Sequence, residues 1–129
     1  MFEQDYIMRL IREMVRTMTK LVFKVDIDDP NQIDFENEDL EEEYYNLIAM
    51  INSGMVNEAE KMLLDQLDLS DKKAFEMSLM FYSYLNEKND DFLETHNYSR
   101  REVVDGIKSV CDKFGYSGFT ESFLGDMIP

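Results

Sequence analysis

Between Tyr44 and Leu67 two amphipathic helical patterns meet at one glycine, in Asn52-Ser53-Gly54-Met55-Val56-Asn57-Glu58-Ala59. That join restricts the segment to a helical hairpin. Gly54 suits the left-handed conformation that closes a helix, Asn57 and Glu58 suit the first turn of the next, and the small side chain of Ala59 allows two backbones to approach closely. The rest of the chain agrees with a helical reading. Only five Gly and two Pro interrupt it, and no stretch shows the sustained apolar alternation that a half-buried strand needs.

The helices can be placed one by one. Ile7, Ile11, Met14, Met18 and Leu21 recur at spacings of four, three, four and three, which predicts a first helix over residues 3–23. Arg9, Arg12, Arg16 and Lys20 form a second stripe on roughly the opposite side. A second helix is expected near 39–53 with Tyr44, Leu47, Ile48 and Ile51 inward, and a third after Gly54 with Val56, Ala59, Met62, Leu63 and Leu67 inward. Ser70 is the expected N-cap of a fourth. That helix is apolar most of the way round, through Ala74, Phe75, Met77, Leu79, Phe81, Tyr82 and Leu85, and so belongs in the middle of the fold. A short turn holding Phe92 and Leu93 follows. Ser99-Arg100-Arg101-Glu102 fits the capping box, flanked by Tyr98 and Val103 as a hydrophobic staple, and opens a helix that Gly115 ends. Phe119, Phe123 and Met127 place a last short helix beyond it.

Charge is distributed unevenly. The net charge is −15, yet residues 1–24 carry five basic against three acidic side chains, and no Lys or Arg occurs from Val25 to Glu60. Such a surface repels phosphates, so nucleic acid is not an expected partner. With 44% hydrophobic residues, nine Phe and seven Tyr, the chain has the material for a core despite its charge. No apolar run approaches the roughly 20 residues that span a bilayer, the acidic start does not fit a signal peptide, and the lone Cys111 permits no internal disulfide. A cytoplasmic location follows as the expectation, with membrane association not expected.

A faint repeat at an offset of 34 pairs Leu47 with Phe81, Ile48 with Tyr82, Ile51 with Leu85 and Ala59 with Leu93. This spacing resembles tetratricopeptide repeats, and Gly54-x-Val56-x-Glu58-Ala59 is similar to their inter-helix turn. The second repeat departs from that pattern, because Lys88 stands where the turn glycine belongs and the cap at Ser99 cuts its second helix short. Separately, Met1-Phe2-Glu3-Gln4-Asp5-Tyr6-Ile7-Met8-Arg9, with Glu13-Met14-Val15-Arg16 and Tyr98-Ser99-Arg100, resembles a family of small proteins from anaerobic Gram-positive bacteria grouped as a domain of unknown function. The likeness runs over most of the chain. It implies a helical fold and supplies no catalytic residues.

Residues that carry chemistry are sparse. One histidine and one cysteine cannot build the zinc sites that need several such ligands. His96 reads as a loop or helix-terminus residue and Cys111, among Val104, Ile107 and Phe114, as a packing group. An EF-hand begun at Asp26 would need glycine and glutamate where Asn31 and Asn37 stand, so the acidic run is read as a solvated linker, with a weak irregular cation site as the alternative. Neither a phosphate loop nor a nucleophile turn is present. No enzyme activity and no cofactor are expected.

The sequence thus predicts a single all-α domain, a bundle of about five to seven helices containing the tetratricopeptide-like pair. It divides into an amphipathic first helix over 1–24, an acidic linker over 25–36 and a helical core over 37–128. The expected role is a protein-interaction or scaffolding module with an unidentified protein partner, including a homodimer through the first helix. The alternative is a peripheral binder of anionic membranes or acidic partners through Arg9, Arg12, Arg16 and Lys20. For that stripe the favoured use is internal pairing with the acidic 36–43 segment.

Overall fold

The computed structural model describes the backbone of residues 2–24 and 35–124, and the side chains within 5–24 and 35–122. Among them run seven α-helices and one π-helical turn: α1 (Phe2–Met18), the π turn (Thr19–Phe23), α2 (Glu38–Asn52), α3 (Val56–Gln66), α4 (Lys72–Asn86), α5 (Asp90–Thr95), α6 (Arg100–Lys113) and α7 (Ser117–Leu124). The described residues include no strand. Most of the expected acidic linker, the Asp26 calcium reading and the positions of Phe123 and Met127 lie outside the described side chains.

The fourth helix is the centre, as its pattern predicts. Nine consecutive residues, Ala74 to Tyr82, are buried, and α4 packs against α1, α2 and α6. One helix surrounded on three sides has little solvent face left, so its apolar residues wrap the whole circumference. Its N-cap is Asp71 rather than Ser70. The Asp71 carboxylate accepts from the Lys73 amide at 2.9 Å, while the Ser70 hydroxyl donates to Asp68 at 2.7 Å and is spent there.

α1 buries Ile7, Leu10, Ile11, Met14, Val15 and Met18. The expected seam then fails at its last member, since Leu21 is 64% exposed. A π turn explains the change. Each of its residues advances around the axis by less than the 100° of an α-helix, so the seam slips; Thr19 is buried, Phe23 turns onto Phe75 with ring centroids 5.5 Å apart, and Leu21 is carried outward.

The α2–α3 hairpin closes as predicted. Gly54 has φ +86°, its amide bonds to the Ile51 carbonyl at 2.9 Å, and the Met55 amide reaches back to Met50 at 2.9 Å. These are the two bonds of a Schellman turn. Tyr44, Leu47, Ile51, Val56, Ala59 and Leu63 face inward; Ile48 and Leu67 are half-buried, and Met62 lies 40% exposed, against expectation. The same pair of bonds ends α5 at Asn97 and α6 at Gly115. Asn97 was not foreseen in that role, although its side chain tolerates φ > 0 better than most. α7 packs on α6 and buries Thr120.

Candidate functional site

Where α4 ends and α5 and α6 begin, the fold gathers its polar interior. Arg100, the first residue of α6, is only 2% exposed. Its guanidinium donates to the Asp90 carboxylate and to the backbone carbonyls of Asn86 and Lys88. One side chain therefore ties the entrance of α5 to the exit of α4, and its positive charge meets the negative end of the α4 dipole. Asp90 is half-exposed. Its carboxylate balances the buried cation from the solvent side.

The capping box predicted from sequence sets this geometry. The Ser99 hydroxyl accepts from the Glu102 amide at 3.2 Å, and the Glu102 carboxylate takes the Ser99 amide at 2.8 Å. Tyr98 and Val103, the expected staple pair, are both buried. Beside the box opens a cleft of about 540 Å³, bordered by Asp90, Leu93, Glu94, Tyr98, Arg100 and Glu102.

A second polar knot joins α3, α4 and the α5–α6 turn. One oxygen of Glu60 accepts hydrogen bonds from the Tyr82 hydroxyl at 2.7 Å and the Tyr98 hydroxyl at 2.9 Å. Burial, reinforced by the negative charge of Glu60, pushes both phenols well above their ordinary range. They remain proton donors to a carboxylate at any ordinary pH. The ring of Tyr82 lies against the backbone of α6 at Gly106, where a β-carbon would overlap it. Asn86 adds a bond from its side-chain amide to the Met8 carbonyl of α1 at 3.0 Å.

Apart from Asn86 Oδ1 and Arg100 Nε, which are buried without a hydrogen-bond partner among the described residues, these groups bond within the fold, which suits them to holding helices together. Among the described residues no three His, Cys, Asp or Glu side chains are grouped to hold a metal ion. His96 caps the C-terminus of α5; its Nδ1 donates to the Phe92 carbonyl at 2.7 Å, and its ring lies against Gly54. Cys111 is fully buried, and burial raises its thiol to about 12. Both take the ordinary roles their sequence context indicates.

The basic stripe of α1 and the π turn is outward-facing, with Arg9, Arg12, Arg16 and Lys20 all exposed. Arg12 does not turn to the acidic 36–43 segment. It makes a two-pronged ion pair with Glu87, at 2.7 and 2.8 Å, just past the end of α4, because α1 packs directly on α4 and brings that carboxylate within reach.

Three acidic side chains of α2, Asp39, Glu42 and Glu43, instead line a surface channel against α3. Two adjoining depressions, about 300 and 170 Å³, share Asp39, Glu43 and Gln66. Glu42, Asn46 and Met62 border the first; Asp68 and Asp71 border the second. No Lys or Arg is among the described residues that line either. Burial raises the Glu43 carboxyl above its usual value.

A family model described only as a family of unknown function, DUF6483, matches residues 1–115. The chain belongs to the DUF6483 family. Neither a curated protein nor a solved structure matches it. The DUF6483 match ends in the Gly115 turn, so it takes in α1 to α6, including Glu60, Tyr82, Tyr98 and Arg100, and leaves α7 outside. No helix among the described residues is long and apolar enough to cross a membrane.

Sequence reasoning placed the hairpin turn at Gly54 and Ala59 but missed Arg100, Asp90, Glu60 and Tyr82 as a polar framework. One signal was available. A cation in the first turn of a helix opposes the helix dipole, and such a local disagreement points to a tertiary partner.

Proposed function

We propose that this protein is a non-catalytic interaction module that docks a partner protein on the outer side of the α2–α3 hairpin. One contrast carries the reading: the Arg100 guanidinium bonds to Asp90 and the Tyr82 and Tyr98 hydroxyls to Glu60 inside the fold, while the hairpin leaves Tyr45 52%, Met55 44% and Met62 40% exposed. Large apolar side chains held in water by a rigid scaffold are the raw material of a protein interface. Methionine is especially suited, because its flexible thioether adapts to a partner's contours. The tetratricopeptide-like spacing of α2 to α5 accords with such a role, as does the absence of a phosphate loop or nucleophile turn from the sequence.

The test is comparative capture with the full chain. Immobilised wild-type protein and a Tyr45→Asp/Met55→Asp variant of equal thermal stability are exposed to lysate from the source cell. The expected result is a protein retained by the wild type and lost by the variant; identical retention by the two, or none by either, overturns the reading. The basic face of α1 and the π turn supports a second use, on anionic surfaces, because Arg9 and Lys20 are exposed. Sedimentation with acidic vesicles at low and moderate salt tests it, and absence of salt-sensitive binding removes it.

A further inference from the structure

We propose that the channel between α2 and α3 seats a basic amphipathic helical segment of the partner protein. The inference rests on the interaction reading above and names the chemistry of what docks. Asp39, Glu42, Glu43 and Asn46 occur at i, i+3, i+4 and i+7, so they form one face of α2 over about two turns, roughly 10 Å. Met62 and Gln66, one turn apart on α3, make the opposite bank. The channel therefore offers a ledge of carboxylates along one side and an apolar step on the other. A helix whose Lys and Arg flank a narrow apolar stripe presents the complement of both, with anchors at the same helical spacing.

Three observations select this occupant. The carboxylates are not clustered as a metal site, so they suit a row of separate cations better than one shared ion. Glu43 has already lost part of its hydration, and no cation lines the channel among the described residues to compensate it. A second copy of the chain is a poor fit: the basic helix α1 has its apolar stripe buried in its own core, and Arg12 is committed to Glu87.

The probe is a fluorescently labelled peptide of leucine and lysine, patterned as an amphipathic helix of about five turns, titrated into full-length protein and followed by anisotropy. Charge reversal in the channel, Glu42→Lys/Glu43→Lys, is expected to weaken binding at least about tenfold. The equal change on the outer face of α6, Asp105→Lys/Asp112→Lys, is expected to weaken it less than about threefold. Met62→Asp separates seating from mere attraction, because it makes the protein more acidic. A seated helix loses its apolar step and binds at least about fivefold more weakly; diffuse attraction predicts tighter binding.

Equal weakening by both charge reversals, or tightening by Met62→Asp, overturns the proposal. So does a self-association, seen by light scattering, that Glu42→Lys/Glu43→Lys abolishes, since the occupant is then a second copy. Thermal melts of each variant show that it remains folded. If the peptide experiment fails while Tyr45→Asp/Met55→Asp still abolishes capture, the interaction reading stands and this channel is not its seat; if capture is unaffected by every variant, both fall.

Discussion

Gly54 carries two constraints on one atom. Its φ of +86° is a conformation that L side chains rarely adopt, and a β-carbon there would lie 2.6 Å from Nε2 of His96. Gly54→Val is therefore expected to cost about 1–2 kcal/mol from the backbone alone, and more once the ring of His96 is displaced. Urea denaturation measures it. Gly115→Ala provides the comparison, because Gly115 shares the positive φ but has open space where its β-carbon would go; it is expected to show the backbone cost without the collision. The backbone half was readable from Asn52-Ser53-Gly54, since a turn between two amphipathic helices needs such a residue. The collision with His96 was not, because that contact spans the chain. Ala59, fully buried in the hairpin, obeys the same logic of close approach, and Ala59→Phe is expected to destabilise the fold by about 1–3 kcal/mol in the same assay.

At the scale of the element, helix ends carry most of the information. The Ser99–Glu102 capping box forms as its four residues prescribe, and Ser99→Ala is expected to cost about 1 kcal/mol. Arg100, its neighbour, is expected to cost more. Arg100→Met removes the charge that faces Asp90 and leaves the Asn86 and Lys88 carbonyls without that donor, a loss of about 2–4 kcal/mol. Chemical denaturation of the two single variants ranks them, and a larger loss at Ser99 would refute the assignment of Arg100 as the junction's tie. Local pattern reveals caps because both partners lie within four residues. It does not reveal that Arg100 turns back to α4, or that Glu60 meets Tyr82 and Tyr98 from 22 and 38 residues away. The π turn was hidden for another reason: the spacing of Met14, Met18 and Leu21 is that of a regular helix, and tertiary packing of Phe23 on Phe75 overrides it.

At the scale of the whole molecule, pH reads out how tightly the interior holds its protons. Burial raises Cys111 from 9.0 and Tyr44 from 10.0, each to about 12, and raises Tyr82 and Tyr98 further. These groups are neutral when protonated. Above their ordinary values an unfolded chain releases protons that the folded chain retains, so stability is fully present below about pH 9 and falls as pH rises. Each fully expressed group contributes up to about 1.4 kcal/mol per pH unit. Thermal melts between pH 8 and 11 are expected to show a declining midpoint, and Tyr82→Phe/Tyr98→Phe is expected to flatten the decline above about pH 10. A midpoint independent of pH in that range would contradict the burial of these hydroxyls. The all-helical class and the central place of α4 were legible because periodic apolar faces record how much of each helix is covered. The acidic channel was legible only as composition: the absence of Lys and Arg from Val25 to Glu60 showed an acidic stretch, but not that α2 and α3 would make a trough of it.

The central position of α4 also sets a schedule. A ribosome releases the chain from its N-terminus, and domains assemble as their parts emerge. α1, α2 and α3 are already outside when α4 appears, but α6, which covers another of its flanks and supplies the guanidinium for the Asn86 carbonyl at its end and the Lys88 carbonyl just beyond, follows only with residues 100–113. During that interval of translation the greasiest helix of the protein has one side bare, so the nascent chain is most in need of chaperone shelter just before Arg100 clears the exit tunnel.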